Sequence, residues 1–356
     1  MRPASLALQN RLLPGVSRTF ALTIPQLPVA LRPAITNAYL LCRIADTVED
    51  STAMAPDDKD AHYRRLLAGL DDESAARKFS EALLGTGLIQ DPLERELINQ
   101  TPGVLRAFGE LPAEQQAALR DCVTTMCHGM ADFERLKNPY GLKDSGYLRD
   151  YCYVVAGCVG EMLTRLFADI HPRIHDQREE LRHLSLAFGQ GLQMTNILKD
   201  VWDDRQRGIC WLPRDVFAAR GIDLTQTQHW QDHPGYRDGI HFLVAVAHHH
   251  LRLAQEYTLR IPASEAGIRR FCSWSIGMAF ATLRKIANNP GYTASAQVKI
   301  SRRQLRFIVA TNNLTVGNDT LLRGVFQLSG KRLPSVQEQE IGQLKAGADD
   351  NAATPR

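Results

Sequence analysis

The sequence is short of every feature that announces an oxidising compartment, a membrane span or a dinucleotide fold. Its seven cysteines are Cys42, Cys122, Cys127, Cys152, Cys158, Cys210 and Cys272. They are odd in number and scattered, with no C-x-x-C pair, which argues against a disulfide framework and a zinc ribbon. A reducing cytosol is the simpler setting. No uncharged apolar run reaches the roughly 18 residues that a membrane-crossing helix needs. The nearest, FCSWSIGMAFATL, is shorter and flanked by arginines. The opening MRPASLALQNRLLPGVSRTF lacks the apolar core of a signal peptide. Neither sign of charge dominates: 42 Lys and Arg against 39 Asp and Glu leave a net +3, which offers nothing to nucleic acid as a main partner. That small excess is compatible with resting on an anionic membrane and says little more. Alternating β-branched runs bounded by turn residues are missing, and no G-x-G-x-x-G follows a strand, so a Rossmann site is excluded.

What remains is helical. Of the 356 residues, 44% are hydrophobic and 23% charged, enough for a substantial core. Helical patterns cover 28–50, 57–85, 91–108, 112–136, 144–170, 177–205, 238–260, 264–288 and 296–327, with Pro and Gly between them. There is no fixed repeat and no long linker, so the expectation is a single all-α domain. Its boundaries are set at a 1–14 N-terminal tail, a 15–330 helical domain and a disordered 331–356 tail. The segments VVAGCVGEM and AFGQGLQM are rich in small residues, which suits either close helix approach or room for a ligand.

Two acidic clusters break the apolar pattern. In RIADTVED, residues Arg43, Asp46 and Asp50 share one helix face at offsets 0, 3 and 7. In QMTNILKDVWDD, residues Gln193, Asn196, Asp200 and Asp204 share another at offsets 0, 3, 7 and 11. A solvated helix end is the plain reading of one such cluster; two in register ask for more. Carboxylates at i and i+4, about 6 Å apart, repel by on the order of 3 kcal/mol at an effective dielectric near 20. Oxygen donors with no thiolate or imidazole beside them favour a hard cation, Mg²⁺ first, which completes its shell with water and phosphate oxygens. The implied ligand is a diphosphate, held where two such helices present their acids to each other.

These residues resemble the squalene/phytoene synthase family of head-to-head prenyltransferases over roughly residues 15–303. SRTF (17–20) is similar to the family's early S-R-[ST]-F segment, and RIADTVED and QMTNILKDVWDD to its two aspartate motifs. YLRDYCYVVAGCVGEMLTRLF (147–167) is similar to the Tyr-Cys-x-x-Val-Ala-Gly segment between them, and RGICWLPRD to the loop after the second. FCSWSIGMAFATL, NNP and QVKISRR resemble the C-terminal part of the squalene synthase branch. The resemblance implies an isoprenoid-synthase-like helical bundle around a central cavity. It implies a transferase that condenses two molecules of farnesyl diphosphate to presqualene diphosphate and reduces that with NADPH to squalene, dependent on Mg²⁺. The nearest alternatives are a dehydrosqualene- or phytoene-type synthase and a presqualene diphosphate synthase without the NADPH step. A head-to-tail prenyltransferase or cyclase would carry D-D-x-x-D, and a non-catalytic relative would be expected to lose its aspartates.

Residue roles follow from the same resemblance. Asp46, Asp50, Asp200 and Asp204 are the expected Mg²⁺ ligands. Ser17, Arg18 and Arg43 are expected to bind diphosphate, with Gln193 and Asn196 on the same face. Tyr151 is expected to take the proton lost on cyclopropane closure, Phe271 to line the apolar pocket, and Lys299 and Arg302 to meet the NADPH phosphates. Lys199 stands where squalene synthases commonly have Arg, and Tyr153-Val154 where eukaryotic members have His-Tyr. The hydrophobic C-terminal anchor of eukaryotic members is missing, so a cytoplasmic protein, at most peripheral to the membrane, is expected. His248–His250 read as rim histidines, DDKD (57–60) as a helix start, and KNPYG as chemically silent.

Overall fold

Caps and prolines cut the chain into shorter helices than the apolar periodicity alone suggests. A computed structural model describes residues 1–17 and 19–337, so Arg18 and the segment 338–356, most of the expected C-terminal tail, lie outside it. Among the described residues there is no strand; the one extended pairing is an isolated parallel bridge between Leu142 and Pro213. The expected 57–85 helix is two helices, Pro56–Ala68 and Glu73–Gly85, because the Asp72 carboxylate accepts from Ser74 N at 2.9 Å and Ala75 N at 3.1 Å and starts a new one. The 296–327 segment divides likewise. Ser301 and Gln304 form a capping box that opens Arg302–Thr315, and Asn318 caps Asp319–Gly330.

The residues expected as an N-terminal tail form a helix instead, Pro3–Val16, packed on Arg32–Glu49, Pro92–Asn99 and Thr101–Gly109. Its buried face is Ser5, Gln9, Leu12 and Leu13. Half of that face is polar, and Ser5 Oγ donates to Glu110 at 2.9 Å, which hid it from a search for apolar periodicity.

The described residues group into two compact units, the first from 1–135 and 158–182, the second from 136–157 and 183–337. In the first, Arg32–Glu49 packs on Ala113–Glu134, which also packs on Pro56–Ala68 and Cys158–Ile170. Lys59 joins three of these helices from within. It is 1% exposed, and its Nζ donates to Glu49 O at 2.7 Å and to Glu134 Oε1 at 2.8 Å. The DDKD stretch is therefore a helix start, as expected, with its lysine turned into the core.

In the second unit, Pro234–Arg260 packs on Ala266–Asn288. Arg269, 1% exposed, ties this pair to its neighbours by donating to Ile261 O at 2.7 Å and Val316 O at 3.0 Å. His248 corrects the rim reading: it is buried, its Nδ1 donates to Pro334 O at 2.8 Å, and burial pulls its pKa down. No described helix is long and apolar enough to cross a membrane.

The small residues around 150–190 have a resolved purpose. The helix Ser145–Cys152 runs into a π-turn, Tyr153–Gly157, where the wider winding displaces the backbone. Gly189, on Arg178–Gln206, lies against that turn so closely that a Cβ would stand 2.4 Å from Ala156 O and 2.8 Å from Gly157 N. Close approach is the answer at this position, and both obstructing atoms are backbone. Gly189→Ala is therefore expected to cost about 1–3 kcal/mol in denaturant unfolding. Gly85→Ala, where an added Cβ meets nothing within 4 Å, should leave the midpoint unchanged or raised.

Candidate active site

The first acidic stripe hangs on the last two turns of Arg32–Glu49, whose other face is buried through Leu40, Leu41, Ile44 and Val48. Asp50 ends the helix, its N–H donating to Asp46 O at 2.8 Å. Arg43 Nη2 donates to Glu94, a partner from Pro92–Asn99 that sequence spacing did not reveal. Arg43 Nη1 stands 3.9 Å from Asp46 Oδ2 and 3.7 Å from Asp50 Oδ2, close enough for attraction and too far for hydrogen bonds. Among the described residues its buried Nε finds no hydrogen-bond partner.

Asp46 is hemmed in by protein while 39% of its side-chain surface stays open. Burial, then Glu49, and further Asp50 and Glu94, push its carboxyl up to about 8, with Arg43 pulling the other way. Ser17 joins this neighbourhood. It is 9% exposed, accepts from Phe20 N at 2.9 Å, and lies beside the half-buried Tyr39, whose phenol donates to Val16 O at 2.9 Å and feels Arg43 and Asp46. Arg18 lies outside the described residues.

The second stripe lies on Arg178–Gln206, in the second unit, over buried Met194, Ile197, Leu198 and Val201. Asn196 is exposed and Gln193 half-buried. Lys199 Nζ donates to Asn196 Oδ1 at 3.2 Å and sits 3.1 Å from Asp200 Oδ2; Arg207 Nη1 is 3.7 Å from Asp204 Oδ1. Asp203 leaves the stripe to accept from Ser295 Oγ at 2.6 Å. Arg205 leaves it too, with its guanidinium 3.5 Å from the centre of the Trp230 ring.

Both stripes occupy the C-terminal turns of their helices, where the backbone dipole is negative and each acid costs about 0.3–1 kcal/mol rather than gaining it. Among the described residues, no three His, Cys, Asp or Glu side chains converge to hold a metal unaided. Each stripe nevertheless suits Mg²⁺, which takes one or two carboxylates and draws its other ligands from water and phosphate.

Tyr151 is 4% exposed and stacks on Trp211 with ring centres 3.8 Å apart and planes 12° off parallel. Trp211 comes from the RGICWLPRD loop, which the KNPYG stretch pins. Cys210 N donates to Asn138 O at 2.8 Å, Leu142 N to Leu212 O at 2.9 Å, and Arg214 N to Leu142 O at 3.0 Å. Gly141, at φ 104°, turns the chain where a Cβ would stand 2.3 Å from Leu212 O. KNPYG thus has a structural part rather than a chemical one: it fixes the ring under the tyrosine. Phe271 is 5% exposed on Ala266–Asn288. Lys299 and Arg302 are exposed on either side of the Ser301 cap.

The squalene/phytoene synthase model matches residues 13–304, and the chain belongs to that family. It is 30% identical over 281 residues to a squalene synthase of Saccharomyces cerevisiae, covering 77% of this chain and 60% of that protein. It is 29% identical over 309 residues to a squalene synthase of Botryococcus braunii, covering 84% of this chain and 62% of that one. The chain thus spans about 60% of the length of these relatives. A solved complex of TcSQS with the ligand BPH1237 shares the fold, with a TM-score of 0.71 at 24% identity over 98% of this chain and 97% of that one.

The folded chain keeps the Asp46 proton up to about pH 8, while the unfolded chain releases it in the ordinary carboxylate range. The Asp46 contribution to stability is therefore intact in acid and is lost as the pH rises toward 8. Asp46→Asn should raise the unfolding midpoint at pH 8 by at least about 2 °C, with the gap closing toward pH 4. Added Mg²⁺ should stabilise the parent protein more than the variant, which keeps the second stripe. A midpoint unchanged by the substitution across this range would remove the strain assigned to Asp46.

Proposed function

We propose that this protein is a squalene synthase that joins two farnesyl diphosphates head-to-head and reduces the product with NADPH. The observation that carries the reading is the state of Arg43: set among Glu94, Asp46 and Asp50, it holds one buried donor that meets no partner among the described residues. Divalent cations and a diphosphate together would complete that arrangement, and neither would alone. Asp46 and Asp50 in one unit, and Asp200 and Asp204 in the other, would each hold Mg²⁺ against diphosphate oxygens. Mg²⁺, when bound, neutralises the departing diphosphate and makes C–O ionisation feasible.

The chain's own residues would do the rest. Arg43, Ser17 and Arg18 would bind diphosphate oxygens, and Gln193 and Asn196 would bond to ligand or to metal-bound water. The Tyr151 hydroxyl, its ring held flat by Trp211, would take the proton lost when the cyclopropane closes while passing its own to a pyrophosphate oxygen. Phe271 would keep water from the cation. Lys299 and Arg302, two exposed cations at a helix start, suit the phosphates of NADPH. NADPH supplies the hydride that ends the reaction. The reading carries with it a cytoplasmic location and peripheral contact with the membrane that receives the hydrocarbon.

Incubation with farnesyl diphosphate and Mg²⁺, with and without NADPH, followed by analysis of the lipid extract, tests this. Squalene should form only with NADPH. An identical hydrocarbon in both arms would mean a dehydrosqualene-type synthase, and accumulated presqualene diphosphate in both a truncated reaction. Asp50→Asn and Asp204→Asn should abolish turnover with helicity intact, and Tyr151→Phe should lower kcat by about 10²–10⁴. Unchanged rates in the aspartate variants would refute the role given to the stripes.

A further inference from the structure

The helices Arg302–Thr315 and Asp319–Gly330 pack on each other and on Ala266–Asn288, in the second unit. Their inner sides are fully used. Ile308 closes over Gly277, where a Cβ would stand 2.6 Å from its Cγ2, and Leu322 and Phe326 are 0% and 4% exposed. Their outer sides carry Phe307, Leu314, Leu321 and Leu328 at 71%, 82%, 54% and 68% exposure. The spacing of seven within each pair places both members on one helix face. Single exposed apolar residues need no explanation, but stripes on two adjacent helices do.

Charge says what covers them. Residues 303–332 hold five basic side chains, Arg303, Arg306, Arg323, Lys331 and Arg332, all exposed, and one acid, Asp319, paired with Arg269 at 2.7 Å. Subtracting these from the totals of 42 and 39 leaves 37 basic and 38 acidic residues elsewhere. The positive excess is therefore no thin coat over the molecule: residues 303–332 carry +4 against −1 for all the rest. Exposed apolar stripes with Arg303 and Arg306 beside Phe307 on one helix, and Arg323, Lys331 and Arg332 on and just past the other, are the composition of helices that lie in a membrane interface. A protein partner would have to bring its own acids to five like charges, whereas an anionic leaflet presents them everywhere.

We propose that this face seats the protein on an anionic phospholipid bilayer, the four apolar side chains entering the headgroup boundary and the basic ones meeting lipid phosphates. It supplies the surface for the membrane contact proposed above and rests on that reading for its purpose only. The test uses the full chain with vesicles of phosphatidylcholine alone or mixed with phosphatidylglycerol, without farnesyl diphosphate or nucleotide, read by co-sedimentation. The protein should bind the anionic vesicles, less at high salt. Replacing Phe307, Leu314, Leu321 and Leu328 together by Ser should weaken binding at least about tenfold. Arg303→Glu, Arg306→Glu and Arg323→Glu together should do the same. Helicity and unfolding midpoint should not move, since all seven side chains are exposed. Equal binding to both vesicle types would overturn the proposal, as would variants that bind like the parent. So would a dimer that the serine variant converts to monomer, because a second copy would then cover the face. Vesicle binding without turnover would defeat the synthase reading alone, and turnover without vesicle binding would defeat this one alone.

Discussion

Crowded negative charge with too little solvent is the constraint on which the molecule turns. Asp46 and Asp50 share a helix end with Glu49, face Glu94, and have the helix dipole against them. A folded chain does not keep such a group without a framework to oppose its dispersal. Lys59 is part of that framework: from inside the core it grips the Glu49 carbonyl and the Glu134 carboxylate, so the end of the acidic helix cannot fray. The second stripe has lighter support, with Lys199 and Arg207 beside it and Asp203 drawn off to Ser295. Only the first cluster shows a cost, the raised Asp46 carboxyl, and a bound cation would relieve it.

The helical class, the two motifs and their registers were legible because they are local. Offsets of three, four and seven decide which side chains share a face, and the contacts of Arg43 with Asp46 and Asp50 follow from them. Partners from elsewhere in the chain were not legible. Glu94 reaches Arg43 across 51 residues, and nothing in PLERELIN marks it for that purpose. Trp211 under Tyr151 and the burial of Lys59 were equally hidden, since each depends on tertiary contact. The first helix escaped notice for a different reason: its packed face is half polar, satisfied by bonds that no hydropathy pattern registers.

Small residues admitted two readings in the sequence, and geometry separates them by position. Gly189 is small because backbone atoms of the π-turn occupy the space its side chain would need, while Gly191 lies against Leu251. The winding defect and the glycine are thus one feature written in two places. A π-turn unsupported by a neighbour that close would be free to relax to ordinary α winding, and the residues after it would rotate on their axis.

The pairing between KNPYG and the loop bearing Trp211 sets a rule of inheritance. A surface segment of this kind ordinarily drifts in length, gaining or losing residues without penalty. This one is stitched at three backbone positions to a stretch about 70 residues downstream, and its glycine occupies a left-handed conformation at the crossing. One residue more or fewer between Asn138 and Leu142 would shift the register of the stitch and carry the indole away from the tyrosine ring. Descendants of this chain can vary the chemistry of that loop, but its length is held fixed from a distance.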